Sequence, residues 1–283
     1  MKPYDLDYFG KDASALRDKR LFLFDMDGTL NQDERLFDGA KELLAAIRIM
    51  GGEYVFITNN STHSVEDLIA KMTRLGVPSA PDNYFTATMA TIYYLKEHYS
   101  GALVYCQGTK SFVGELAKAG IRTTEKVDES ADIILVGYDG ELTYPKLRNT
   151  CEMLSRFDKP FFATNPDLCC PASFGFVPDC GSICQMLTNS TGRKPTFLGK
   201  PDPAMVYGAQ ARFSRSTEET CVVGDRLYTD VAVGLNAGTA AIAVLTGEAT
   251  AEMIETGDII PTYTFQSVKE MWRVLDPDGT VRV

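Results

Sequence analysis

Residues 21–30, LFLFDMDGTL, constrain this chain more than any other stretch: an apolar run of four large residues stops at two aspartates spaced two apart, followed by a Gly-Thr pair. With a charge on each side, Leu21–Phe24 is too short for a helix and predicts a strand buried on both faces. Asp25 then stands at the strand's carboxyl end. Side chains alternate along an extended backbone, so Asp25 and Asp27 project to one side while Met26 points back into the protein. In open α/β sheets ligands bind at that edge. Gly28 permits a tight turn that brings backbone N–H groups close to an anion, and Thr29 adds a hydroxyl donor. On these residues alone two readings stand: Asp25 as a turn or capping residue with Asp27-Gly28 a turn signal, or Asp25 as a nucleophile with Asp27 its acid/base partner.

The rest of the chain decides between them. Asp38–Met50 predicts a helix with an Asp cap and a Gly51-Gly52 stop, and Glu53–Thr58 a second strand that ends in five small polar residues, Thr58 to Thr62. Ser64 and Asp67 form a capping box for a helix reaching Leu75, with His63 at its solvated start. Strand, helix, strand, helix implies parallel pairing with right-handed crossovers. After a Pro-rich break at 78–83 come helices over 88–98, 110–119 and 144–157 and strands over 102–106, 132–137 and 160–164, enough for a second small core. The last of these strands ends in Asn165-Pro166-Asp167, either a turn or a pair of substrate-reading groups. A Gly/Pro/Cys-rich loop (169–181) and a short helix (182–187) lead to a strand over 195–198 and then Lys200, the one cation found at a strand's carboxyl end. Thr220–Gly224 predicts another buried strand, followed by Asp225 and by Asp230 at a helix start. Strands over 239–245 and 262–265 complete the sheet.

Four strand ends thus carry polar groups: Asp25 and Asp27, Thr58 and Asn59, Lys200, and Asp225 and Asp230. Placed in one parallel sheet, all four would share an edge. Composition limits what such an edge can serve. The chain of 283 residues is 45% hydrophobic and 23% charged, with 38 acidic against 28 basic residues and a net charge of −10, and it has no basic run. Nucleic acid and anionic membrane are therefore not expected as partners. No signal-like or membrane-length apolar stretch occurs, which points to the cytoplasm. Seven scattered cysteines suit reduced thiols; Cys169, Cys170, Cys180 and Cys184 lack the paired spacing of a zinc site.

The segments DMDGTL, ITNNS, GKPDP and VVGDRLYTD resemble, in order and context, the four motifs of the haloacid dehalogenase (HAD) superfamily. The long insertion between the second and third, with ATNPD and GRKPTFLGKPDP, resembles the NagD-like branch. That resemblance implies an α/β fold: a Rossmann-like parallel-sheet core from residues 1–80 and 180–283, and a large inserted α/β cap over 81–179 that sets specificity. It further implies Mg²⁺-dependent hydrolysis of a small phosphorylated metabolite. Asp25 would be the nucleophile that becomes an aspartyl phosphate, and Asp27 the acid/base, kept protonated by its anionic neighbours. Thr58, Asn59 and Lys200 would hold the phosphate. Asp25, Asp225 and the Asp27 carbonyl would ligate the metal, Asp230 would support the metal or Lys200, and Asn165 and Asp167 would bind substrate. A homodimer through the cap is compatible with it. Asp27 argues against dehalogenation, which has no leaving oxygen to protonate. A phosphomutase or phosphotransferase, or a phosphometabolite-binding regulatory protein without turnover, stays open.

Overall fold

Leu21–Phe24 form strand β1, each side chain fully buried, in the computed structural model, which describes residues 3–172 and 174–281. A two-stranded antiparallel hairpin follows, β2 (Asn31–Gln32) and β3 (Arg35–Leu36). Helix α1 (Ala40–Ile49) comes next and buries Leu43, Leu44 and Ile47, the i, i+1, i+4 face expected of a helix covering a sheet. The anticipated Asp38 cap does not form. Gly39 holds the N-cap position in a left-handed conformation, φ 83°, one residue later than the expected cap. Strand β4 (Glu53–Thr58), helix α2 (Val65–Arg74) and strand β5 (Tyr84–Thr86) continue the chain. At the start of α2, Ser64 N–H and Oγ both donate to Asp67 Oδ2 (3.1 and 2.9 Å), and Asp67 N–H donates back to Ser64 Oγ (3.2 Å), which is the reciprocal box anticipated there.

The middle of the chain builds a second sheet. Its elements are α3 (Ala87–His98), β6 (Leu103–Gln107), α4 (Lys110–Lys118), β7 (Arg122–Thr124), β8 (Ile133–Val136), α5 (Tyr144–Arg156), β9 (Phe161–Ala163), β10 (Cys169–Ala172), β11 (Gly175–Pro178), α6 (Cys180–Thr191) and β12 (Thr196–Phe197). The final third adds α7 (Ala204–Phe213), β13 (Thr220–Gly224), α8 (Ala232–Asn236), β14 (Ala240–Val244), α9 (Ala251–Thr256), β15 (Tyr263–Phe265) and α10 (Val268–Leu275).

Packing divides the chain into two units: residues up to Ile57, Ile69–Phe85 and from Pro201 onward in the first, Thr58–Leu68 and Thr86–Lys200 in the second. A six-stranded sheet in the order β15-β14-β13-β1-β4-β5 belongs to the N- and C-terminal portions. β1 lies centrally, parallel to β13 and β4 with Phe24 opposite Val223 and Phe56. A five-stranded parallel sheet, β12-β9-β8-β6-β7, forms the second unit. Two apolar clusters lie in that unit, one with Ile134, Val136, Met153 and Leu187, the other with Val104, Phe112, Leu116 and Ile133.

Three further expectations differ from what is found. The stretch over 169–181 is not a loop: β10 and β11 pair antiparallel, with Cys169 opposite Pro178. β12, the strand preceding Lys200, pairs with β9 in the five-stranded sheet, so the shared-edge expectation does not extend to Lys200. Residues 180–200 pack with the second unit, where a core boundary at 180 had been expected, because α6 turns Cys180, Ile183, Cys184 and Leu187 into the apolar cluster beside β8 and β9. No disulfide forms among the described residues, and no helix among them is long and apolar enough to cross a membrane.

If α6 is an integral part of the second core, truncating its buried Ile183 to Ala costs about 2–5 kcal/mol, the usual range for such a cavity. The displacement of the urea unfolding midpoint measures it. A loss below about 1 kcal/mol would mean that α6 is only loosely seated.

Candidate active site

Parallel pairing of β1 with β13 at Phe24↔Val223 puts Asp25 level with Gly224 and one residue short of Asp225, and the Asp25 N–H donates to the Val223 carbonyl at 2.8 Å. Two carboxylates are therefore delivered side by side by sheet register alone. A third arrives from the wide turn Leu227–Val231 that precedes α8, where Asp230 Oδ2 accepts the Arg226 N–H at 3.0 Å. That turn replaces the regular helix start anticipated for Asp230. Asp25, Asp225 and Asp230 each offer a carboxylate oxygen within 4.8 Å of the others, with Asp225 and Asp230 buried and Asp25 partly exposed.

Like charges at this distance repel by about 3 kcal/mol per pair at an effective dielectric near 20. Two donors hold Asp225 in spite of that: the Thr29 hydroxyl reaches Oδ1 at 3.1 Å and the Glu248 N–H reaches Oδ2 at 2.9 Å. Backbone closes over the same carboxylate. A Cβ on Gly28, whose φ is 94°, would lie 2.5 Å from Asp225 Oδ2, and one on Gly247 would lie 1.9 Å from it, so both positions require glycine. Thr246 Oγ1 donates to the Gly28 carbonyl at 2.6 Å and ties the two glycine segments together. Burial pushes the Asp225 carboxyl up from 3.8 to about 6, with the Asp230 charge as the second cause, against the opposing pull of the Glu248 N–H. A shift of that size corresponds to about 3 kcal/mol disfavouring the ionised form.

An all-oxygen set of crowded, buried carboxylates is the donor chemistry of a hard divalent cation, and a cation would offset the repulsion that raises Asp225. The described residues therefore fit Mg²⁺.

Asp27 meets surroundings other than those anticipated. Its Oδ1 accepts the Lys71 ammonium at 2.7 Å and the Asn31 amide at 2.6 Å, where only anionic neighbours had been foreseen. Lys71 lies on α2, 44 residues from Asp27. No local pattern marks it in the sequence, since a lysine on an amphipathic helix reads as a solvated face.

The remaining residues singled out from the sequence lie in the second unit. Thr58 closes β4, and its Oγ1 accepts the Asn60 N–H at 3.1 Å. The Asn59 side chain bonds to the main chain of Lys200 twice, accepting the Lys200 N–H at 2.9 Å and donating to its carbonyl at 3.1 Å. Asn165 Nδ2 donates to the Asn59 carbonyl at 2.7 Å, and Asp167 Oδ2 accepts from Asn59 Nδ2 at 2.9 Å. Asn59, Asn165, Asp167 and Lys200 are all buried.

The raised Asp225 carboxyl makes a stability prediction whose sign is definite. Its pKa is higher folded than unfolded, so the metal-free fold loses stability as pH rises from about 4 through about 6 and stays lower above that. Asp225→Asn removes this penalty. In EDTA at pH 7.5 its Tm is expected to equal or exceed that of the wild type, while the rise in Tm that Mg²⁺ causes in the wild type disappears. Thermal unfolding with and without Mg²⁺ checks both, and an undiminished Mg²⁺ response in Asp225→Asn would contradict the site.

The chain is similar to known proteins along most of its length. A family model described as haloacid dehalogenase-like hydrolase matches residues 22–122, and one described as HAD-hydrolase-like matches residues 197–271. The chain is 32% identical over 255 residues to a protein named acid sugar phosphatase from Staphylococcus aureus (strain MRSA252), covering 90% of this chain and 97% of the relative. The crystal structure of a 4-nitrophenylphosphatase from Thermotoga maritima superposes with a TM-score of 0.86 at 35% identity, covering 92% of this chain and 98% of that one. NagD from E. coli K-12 gives a TM-score of 0.80 at 31% identity, covering 89% and 98%. The chain belongs to the haloacid dehalogenase-like hydrolases and, within them, to the NagD-like phosphatases.

Proposed function

We propose that this protein hydrolyses a small-molecule phosphomonoester, a sugar or other metabolite phosphate, with Mg²⁺ as cofactor and Asp25 as the group that takes up the phosphoryl. The observation that carries the reading is the gathering of Asp25, Asp225 and Asp230 carboxylates within 4.8 Å at the carboxyl ends of β1 and β13. Nothing in the packing of the sheet calls for such a cluster, and its mutual repulsion opposes folding.

Asp25 and Asp225 would hold the cation through their carboxylates and Asp27 through its backbone carbonyl, with Asp230 in support. Bound there, Mg²⁺ supplies positive charge that lets a phosphate dianion approach three carboxylates. Asp25 attacks phosphorus as the ester oxygen leaves, forming an acyl phosphate on its own carboxylate; water then hydrolyses it, so one difficult displacement becomes two easier ones. Asp27 gives its proton to the departing oxygen and takes one from the attacking water. The Lys71 ammonium and the Asn31 amide on Oδ1 fix the orientation of the Asp27 carboxyl. Thr58, the Asn59 backbone N–H and Lys200 are assigned to the phosphoryl oxygens, where charge spreads as the transition state forms.

Release of phosphate from 4-nitrophenyl phosphate tests the reading. With Mg²⁺ present, the wild type is expected to turn over, Asp25→Asn to lose activity, and Asp27→Asn to fall by at least ~10²-fold in kcat. Activity should vanish in EDTA and return with Mg²⁺. Undiminished turnover in Asp25→Asn would remove the nucleophile, and a metal-independent enzyme would overturn the role of the carboxylate cluster.

A further inference from the structure

Asn59 spends its whole side chain on protein partners. Its Nδ2 donates to Asp167 Oδ2 (2.9 Å) and to the Lys200 carbonyl (3.1 Å), and its Oδ1 accepts the Lys200 N–H (2.9 Å). Its backbone carbonyl accepts from Asn165 Nδ2 (2.7 Å), and Asn165 Oδ1 in turn accepts the Asp167 N–H (3.1 Å). One asparagine thus joins three segments distant in sequence: the polar stretch after β4, the Asn-Pro-Asp turn after β9, and the Gly199-Lys200 step after β12. Gly199 makes the join possible, since a Cβ there would lie 2.6 Å from Asn59 Oδ1 and 2.5 Å from the Thr164 carbonyl.

The Lys200 N–H and carbonyl orient the Asn59 amide, oxygen toward the N–H and nitrogen toward the carbonyl, and Asp167, whose carboxylate accepts but cannot donate, adds a third partner that enforces the same orientation. With Asp167 removed, the Asn59 nitrogen loses one of its two acceptors and the amide is held by the Lys200 main chain alone. Lysine is a flexible stem that places a point charge only as well as its main chain is held. Asn165 is fully buried and Asp167 is 3% exposed, and each engages Asn59 through one atom, Asn165 Nδ2 at its carbonyl and Asp167 Oδ2 at its amide.

We propose that Asn165 and Asp167 are positioning residues: acting through Asn59, they hold the Asn59 backbone and the Lys200 main chain in place, and they do not read the organic part of the substrate. This rests on the assignment of Thr58, Asn59 and Lys200 to the phosphoryl oxygens. It differs from a substrate-reading role in what a substitution does to selectivity, because a displaced phosphate grip is felt equally by every ester.

The wild type, Asp167→Ala, Asp167→Asn and Asn165→Ala are assayed with Mg²⁺ on 4-nitrophenyl phosphate and on a panel of sugar and other phosphomonoesters. Stabilisation of each protein by inorganic phosphate with Mg²⁺ is measured alongside by thermal shift. Asp167→Ala and Asn165→Ala are expected to lose up to about 10²-fold in kcat/KM, the scale of a displaced catalytic group, by the same factor for every ester and with a smaller thermal shift from phosphate. Asp167→Asn, which keeps an acceptor oxygen, should recover most of the loss. A changed ranking of esters with the phosphate response intact would overturn the proposal in favour of substrate reading. Should Asp167→Ala not fold, Asn165→Ala and Asp167→Asn carry the same comparison. A wild type inactive on every ester refutes the phosphatase reading instead, and the phosphate shift still decides the positioning claim: an equal shift in wild type and Asp167→Ala refutes it.

Discussion

Everything at the carboxyl end of β1 follows from the crowding of negative charge. Asp25, Asp225 and Asp230 are brought within 4.8 Å of one another by the pairing of β1 with β13 and by the turn after β13. The fold partly relieves the strain, through the Thr29 hydroxyl, the Glu248 N–H and two glycines that let backbone close over Asp225, yet the Asp225 carboxyl is still raised to about 6. A packed apolar sheet edge would be more stable than this arrangement. In the proposed reaction a bound cation would convert the same repulsion, an electrostatic cost to the fold, into affinity.

That cost is affordable only on a rigid support. β1 is completely buried and flanked by β4 and β13, so the position of Asp25 is set by two ladders of main-chain bonds rather than by a loop. Asp27, two residues further on, has left the strand and depends instead on side chains: Asn31 from β2 and Lys71 from α2 both fix its Oδ1. The proposed nucleophile and the proposed acid are thus positioned by different physical means, which suits the different tasks the proposed reaction gives them. The first needs an invariant line of attack, and the second needs its carboxyl held in one orientation.

The second unit holds a polar cluster through side-chain hydrogen bonds. Ser61 Oγ and Thr164 Oγ1 lie 3.2 Å apart, Ser61 Oγ accepts the Tyr138 N–H at 3.0 Å, and Asn59 links the ends of the segments around them. Ser61, Thr164 and Asn59 are buried with their side chains hydrogen-bonded, and a network of this kind is stiff because releasing one member strands another.

Much of this was legible in the chain itself. Buried strands announce themselves as short apolar runs, so Leu21–Phe24, Glu53–Thr58 and Thr220–Gly224 could be placed, and with them Asp25, Thr58 and Asp225, because the step from apolar to polar marks where a strand ends. Local chemistry also determined the Ser64–Asp67 box. Pairing partners and long-range contacts were decided elsewhere. That β12 joins β9 and not the six-stranded sheet, that α6 packs with the second unit, that Lys71 reaches Asp27, and that Asn165 and Asp167 bond to Asn59 are all matters of which surfaces meet after collapse. A sequence encodes local propensity within a few residues, whereas these contacts join groups tens to more than a hundred positions apart, where only the packed chain selects one partner among many chemically equivalent ones.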